Sequence, residues 1–96
     1  MKHQEKVHMF SGVGELVFYF SPKDYMPDER HVISVGYGLI YNGDCTGVEF
    51  SRLMNGEVRV YYNPMVQNKA NLDRVINKMK EAIKAPNNNG SMTIEL

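Results

Sequence analysis

Two Asn-Gly pairs, Asn42-Gly43 and Asn55-Gly56, constrain this chain more than any other feature of it. Each is flanked by alternating apolar residues, and Asn-Gly between such runs is the strongest short-range hairpin signal. Both central residues of a tight type I′ turn take positive φ, which Asn and Gly tolerate. The spacing predicts a three-stranded antiparallel meander over 31–41, 44–54 and 57–62. A two-residue loop at Asn42-Gly43 sets Tyr37 opposite Val48 and Val35 opposite Phe50. Ile33, Val35, Tyr37 and Leu39 then share an apolar face with Val48 and Phe50. At the second turn a two-residue loop would put Val58, Val60 and Tyr62 on the wrong face. A three-residue loop, Met54-Asn55-Gly56, with Gly56 in the left-handed region as a G1 bulge, restores the match and sets Phe50 opposite Val60.

The same register defines a second face. Ser34, Gly36, Gly38 and Ile40 lie there beside Ser51, Glu49, Gly47 and Cys45, with Arg59 and Tyr61 continuing it. Glycines inside strands mark curvature, a bulge or a close approach by a ligand or backbone.

The rest of the chain supplies the frame. Val7, Met9 and Ser11 alternate with His8 and Phe10 in a first strand near 6–11. Gly12-Val13-Gly14 turns the chain, and Glu15 to Phe20 forms a second strand, rich in β-formers over Leu16-Val17-Phe18-Tyr19-Phe20 and apolar on both faces, therefore central or covered on both sides. Pro22 and Pro27 bound a charged loop that carries Tyr25-Met26. Asn63-Pro64 ends the meander. From Asn68 or Asn71 to Ala85, the positions Leu72, Val75, Ile76, Met79 and Ile83 trace one stripe of an amphipathic helix. Pro86 stops it, and Met92, Ile94 and Leu96 alternate as a final strand. The expected architecture is one α+β domain over 1–96: an antiparallel sheet of five to six strands (hairpin, three-stranded meander, C-terminal strand) with one amphipathic helix packed on its apolar face.

Function is read chiefly by exclusion. Eleven basic and eleven acidic residues cancel, so no global field steers the chain to nucleic acid or anionic lipid. The single cysteine, Cys45, excludes an internal disulfide. No apolar run reaches membrane-spanning length and no hydrophobic signal stretch follows the first residues, so a cytoplasmic location is expected. His3, His8 and His31 are scattered, with no ligand or triad spacing, so no catalytic residue, metal site or cofactor is expected.

What remains is contact material: six tyrosines, four phenylalanines and seven methionines. The expected function is a small protein-binding module, an accessory or inhibitor protein that acts by occluding a partner's surface. Its contacts are assigned to Tyr25 and Met26 on the proline-bounded loop and to Glu49, Arg59 and Tyr61 on the polar sheet face. Homodimerisation through a strand edge is a second mode of association. Two alternatives stand beside it. Lys69, Arg74, Lys78, Lys80 and Lys84 outnumber Asp73 and Glu81, which gives helix 69–85 a basic back for nucleic acid. The glycine-rich face could instead serve a small enzyme or a ligand-binding protein.

Overall fold

A computed structural model describes residues 7–53 and 55–85. Six elements follow one another: β1 (Val7–Gly12), β2 (Glu15–Phe20), α1 (Glu29–Tyr41), β3 (Gly47–Ser51), β4 (Gly56–Tyr61) and α2 (Lys69–Lys84). The strands form one antiparallel sheet in the order β1-β2-β4-β3. The first hairpin closes at Gly12↔Glu15 through Val13 and Gly14, with Gly14 at φ +77°. β2 is central, as its doubly apolar sequence predicts. Among the described residues the sheet therefore has four strands rather than five or six, and there are two helices rather than one. The predicted final strand at Met92, Ile94 and Leu96 lies outside the described residues.

The main correction falls on 31–41, which is helix α1 and not the first strand of a meander. The apolar residues of this stretch satisfy two periods at once. Ile33, Val35, Tyr37 and Leu39 alternate, but Val32, Val35, Gly36 and Leu39 also recur at i, i+3, i+4 and i+7. Val32, Gly36 and Leu39 are the buried positions of the helix, so the helical period wins. The decision is made at the ends. Asp28 caps the N-terminus by accepting from His31 N, and Glu29 follows in the first turn, where the helix dipole favours an acid. Asn42-Gly43 ends the helix instead of turning a hairpin. Gly43, at φ +85°, donates its N–H to Ile40 O at 3.0 Å, and Asp44 N donates to Leu39 O at 2.9 Å. These are the two bonds of a Schellman motif. The supposed glycine face dissolves accordingly. Gly36 is buried where α1 crosses β3, and a Cβ there would stand 2.8 Å from Val48 Cγ1.

The second Asn-Gly does lie in a hairpin, between β3 and β4, but not as a G1 bulge. Gly56 is outside the left-handed region and belongs to β4. The last pair is Ser51↔Glu57, and Phe50 meets Val58 rather than Val60. This register differs from the predicted one by an even step, so the predicted faces survive the error. Gly56 is required for space. It pairs with Phe20, and a Cβ on it would fall 2.1 Å from Phe20 Cε2.

Both helices cover one face of the sheet. Leu16, Phe18, Phe20, Val58 and Val60 point into the layer filled by Val32 and Leu39 of α1 and by Val75, Met79, Ala82 and Ile83 of α2. Leu72 and Ile76 pack against this core while only partly buried. α2 runs where its apolar stripe predicts, capped by Asn68, whose Oδ1 accepts from Asn71 N at 2.9 Å.

Element order and strand order together show a repeated unit, strand–strand–helix, used twice. Among the described residues the units are joined in the sheet by the β2–β4 strand pair, and their helix-entry loops match in detail. Ser21 O accepts from Asp24 N and Tyr25 N, and Asn63 O accepts from Val66 N and Gln67 N, with a proline next in sequence each time. The fourth residue past each acceptor then reaches the end of the other unit's helix. Tyr25 Oη donates to Ile83 O, and Gln67 Nε2 donates to Asp44 O, both at 2.5 Å.

Asp44 is the buried charge at this junction, with a relative exposure of 4%. Its carboxylate accepts from Asn42 Nδ2 at 2.9 Å and from Arg74 of α2 at 2.6 Å. The Asn42 bond, joined by Arg74 and the charge of Lys78, outweighs desolvation and holds this carboxyl below the usual range.

Two outcomes follow from the packing. Gly56→Ala is expected to lower stability by about 1–3 kcal/mol through overpacking, with part recovered when Phe20→Leu is added. Urea midpoints of the single and double variants check this, and an unchanged midpoint for Gly56→Ala rules it out. Asp44→Asn is expected to cost about 1.5–3 kcal/mol near neutral pH, as charge-assisted bonds do. Since the folded pKa of Asp44 lies below its unfolded value of about 3.9, its stabilisation is fully present above that value. It is lost as pH falls through the folded pKa. The wild-type and Asp44→Asn stabilities should therefore converge on acidification, as read from chemical denaturation at a series of pH values.

Candidate functional site

With both helices on one side, strand alternation delivers a second set of side chains to the opposite side. Taken across the sheet from β1 to β3, that open face reads Gly12, Glu15, Tyr61, Gly47 in one row. Phe10, Val17, Arg59, Glu49 form the next, and His8, Tyr19, Glu57, Ser51 the last. The β1–β2 half is largely apolar and the β4–β3 half polar. Phe10 is 53% exposed and Tyr19 38%. Val17 is 1% exposed although it is not part of the helix-covered core, because in register it lies between Phe10 and Arg59.

The polar half is a connected set. Arg59 Nη1 donates to Glu15 Oε1 at 2.7 Å and Nη2 to Glu57 Oε2 at 3.0 Å. These bonds push the guanidinium pKa up, so Arg59 is a permanent cation. Tyr61 Oη donates to Glu49 Oε1 at 2.9 Å, and this bond to the carboxylate raises the phenol's pKa. Glu49 sits directly across from Arg59 in the β3–β4 register. Three carboxylates thus surround one guanidinium, and the face is net negative beside exposed rings.

The sequence-predicted contact residues divide between two places. Glu49, Arg59 and Tyr61 do come together, on the open face, as neighbouring-strand pairing predicts. Tyr25 does not join them. Its ring packs against the core, its hydroxyl is spent on Ile83 O, and burial raises its pKa. Met26 is 37% exposed on the loop between Pro22 and Pro27. Phe10, Val17 and Tyr19 share this face and are not among the contact residues expected from sequence. The alternation of β1 and β2 held the signal, but an assumed meander had already occupied the sheet's apolar face.

Among the basic residues of α2, Arg74 is committed to Asp44, and Lys69 pairs with Asp73 at 3.1 Å. Gly36 and Gly38 lie in α1 while Gly47 backs Tyr61 in the sheet, so no common glycine face exists. Cys45 is buried, and desolvation raises the pKa of its thiol. Among the described residues no three His, Cys, Asp or Glu side chains stand close enough to hold a metal ion. No helix among them is long and apolar enough to cross a membrane. Comparison with protein-family models, curated proteins and solved structures returned no match.

Proposed function

We propose that this chain is a protein-binding module that works through the open face of its sheet, on a partner surface that combines basic and apolar groups. One observation carries the reading: among the described residues the sheet is covered on one side only, and its other side joins exposed rings to a net negative polar set. Aromatic residues that hold a large rigid area near fixed charges are the usual anchors of protein interfaces. The sign of the charge argues against a phosphate backbone on this face and for a cationic partner. Glu15 and Glu57 share the one guanidinium of Arg59, whereas among the described residues Glu49 is bonded by a neutral hydroxyl and keeps its charge for an incoming lysine or arginine. Phe10 and Tyr19 provide the apolar contact beside it. Relative to the residues named from sequence, Tyr25 leaves the contact set, and Phe10 and Tyr19 enter it. Occupation of a partner's basic surface is the mode of action of an accessory or inhibitor protein.

A photo-crosslinking phenylalanine at position 19, with the same group at exposed Asn77 on α2 as control, provides the test. The expected result is one crosslinked protein from position 19 and none from 77. Titration of that protein should show affinity lowered about thirty-fold by Tyr19→Ala, the loss of a central anchor worth about 2 kcal/mol. Glu49→Lys should weaken it further at low salt than at high salt, and Asn77→Ala should leave it unchanged. Wild-type affinity in both open-face variants would defeat the reading, provided their melting temperatures match wild type.

A further inference from the structure

Among the described glycines, Gly38 is the one that no feature of the chain explains. Each of the others takes a positive φ or stands where a Cβ would crowd a neighbour. A Cβ on Gly38 would meet nothing within 4 Å. Gly38 lies inside α1, where glycine destabilises relative to alanine through its backbone freedom. A bare helical backbone with space above it suits the close approach of a ligand.

What lines that space supplies the chemistry. Val35, Gly38, Leu39 and Asn42 recur at i, i+3, i+4 and i+7, so they share the side of α1 turned to α2. Arg74 and Lys78, one turn apart on α2, close the other side of a cleft of about 480 Å³. Small-molecule sites commonly fall within about 300–1,000 Å³. Buried Asp44 lines the cleft as well, with Oδ2 taken by Asn42 and Oδ1 by Arg74 Nη2. That bond holds the guanidinium in place, and among the described residues its Nε and Nη1 have no acceptor. Lys78 likewise forms no ion pair among them. Two cations against one carboxylate leave the cleft net positive, beside an apolar wall of Val35 and Leu39.

We infer that this cleft binds a small organic anion, a carboxylate carried on an apolar body. The free edge of the Arg74 guanidinium and the Lys78 ammonium hold the carboxylate, since charge-assisted bonds to such groups are the strong ones. The apolar body lies over Gly38, beside Val35 and Leu39, in the space that a side chain at position 38 would take. One net positive charge matches a monoanion, whereas a phosphate dianion would leave charge uncompensated. The site is on the helix side of the sheet, so it does not depend on the open-face reading above.

Titration of the isotope-labelled full chain at fixed ionic strength, followed by heteronuclear NMR, tests this. Sodium benzoate is the probe, with acetate and inorganic phosphate as comparisons. Benzoate should give saturable shifts at the amides of Gly38 and Asn42 and at Arg74 Nε, and acetate and phosphate should bind more weakly. Lys78→Met should weaken benzoate about ten-fold through the loss of one charge-assisted contact. Lys80→Met, outside the cleft, should leave it unchanged. Gly38→Ala should act in two directions. Its melting temperature should rise, since alanine suits a helix better, and its benzoate affinity should fall by a similar factor, since the methyl group enters the cleft. Absence of saturable shifts in the full chain overturns the inference, as does phosphate bound as tightly as benzoate. Wild-type benzoate affinity in Gly38→Ala or Lys78→Met, or a lowered melting temperature in Gly38→Ala, overturns it as well.

Discussion

Everything in this fold hangs on the pairing of β2 with β4. Among the described residues it is the only strand pair that joins the two strand–strand–helix units, and at one end it depends on Phe20 lying across a residue with no side chain. The same ring reaches Phe50 of β3, with centroids 5.6 Å apart, so one aromatic spans from the first unit to the far edge of the second. The helices then lock the join from above. Tyr25 and Gln67, at matching places in two matching turns, each tie their own unit's loop to the end of the other unit's helix. Asp44 adds the ionic link between the end of α1 and α2.

A sheet built this way has an occupied side and an unoccupied one. The occupied side takes the large aliphatic residues, with Leu16, Phe18, Val58 and Val60 fully buried. The unoccupied side is not simply polar. It buries Val17 under its own neighbours and presents Phe10 and Tyr19 in the company of three glutamates and one arginine. A face with only a solvation role would need no such rings. Their cost in exposed apolar surface is the physical ground for proposing a function there.

Much of this arrangement can be read from residues alone, and the failures have specific causes. The first hairpin, the central place of β2, the cap and stripe of α2 and the grouping of Glu49, Arg59 and Tyr61 follow from alternation, capping chemistry and pairing parity. Residues 31–41 misled because β-branched and aromatic side chains at 32–41 fit both periods, and Asn-Gly serves a helix C-terminus as readily as a hairpin. Asp28 with Glu29 ahead of the stretch was the deciding signal, a helix start hidden behind Pro27. Tyr25 misled for another reason. A tyrosine on a charged loop looks available, and only the path of the distant α2 shows that a carbonyl awaits its hydroxyl. The repeat is written faintly in the sequence, since Gly14, Glu15, Tyr19 and Pro22 recur 42 positions on as Gly56, Glu57, Tyr61 and Pro64.

The strict division of labour between the two sides of the sheet also decides which changes in length this protein can absorb. Alternation assigns sides by odd and even position, so one inserted or deleted residue within a strand would send the adjoining apolar residues outward and carry the glutamates and Arg59 into the core. The strands are therefore fixed in length by charge as much as by packing. The stretch 52–55 is under no such rule, since an even change of register there leaves every side chain on its own side. Lineages of this chain are expected to vary in the reach of that loop while holding the strands constant, which lets the outline of the open face change without disturbing what lies beneath it.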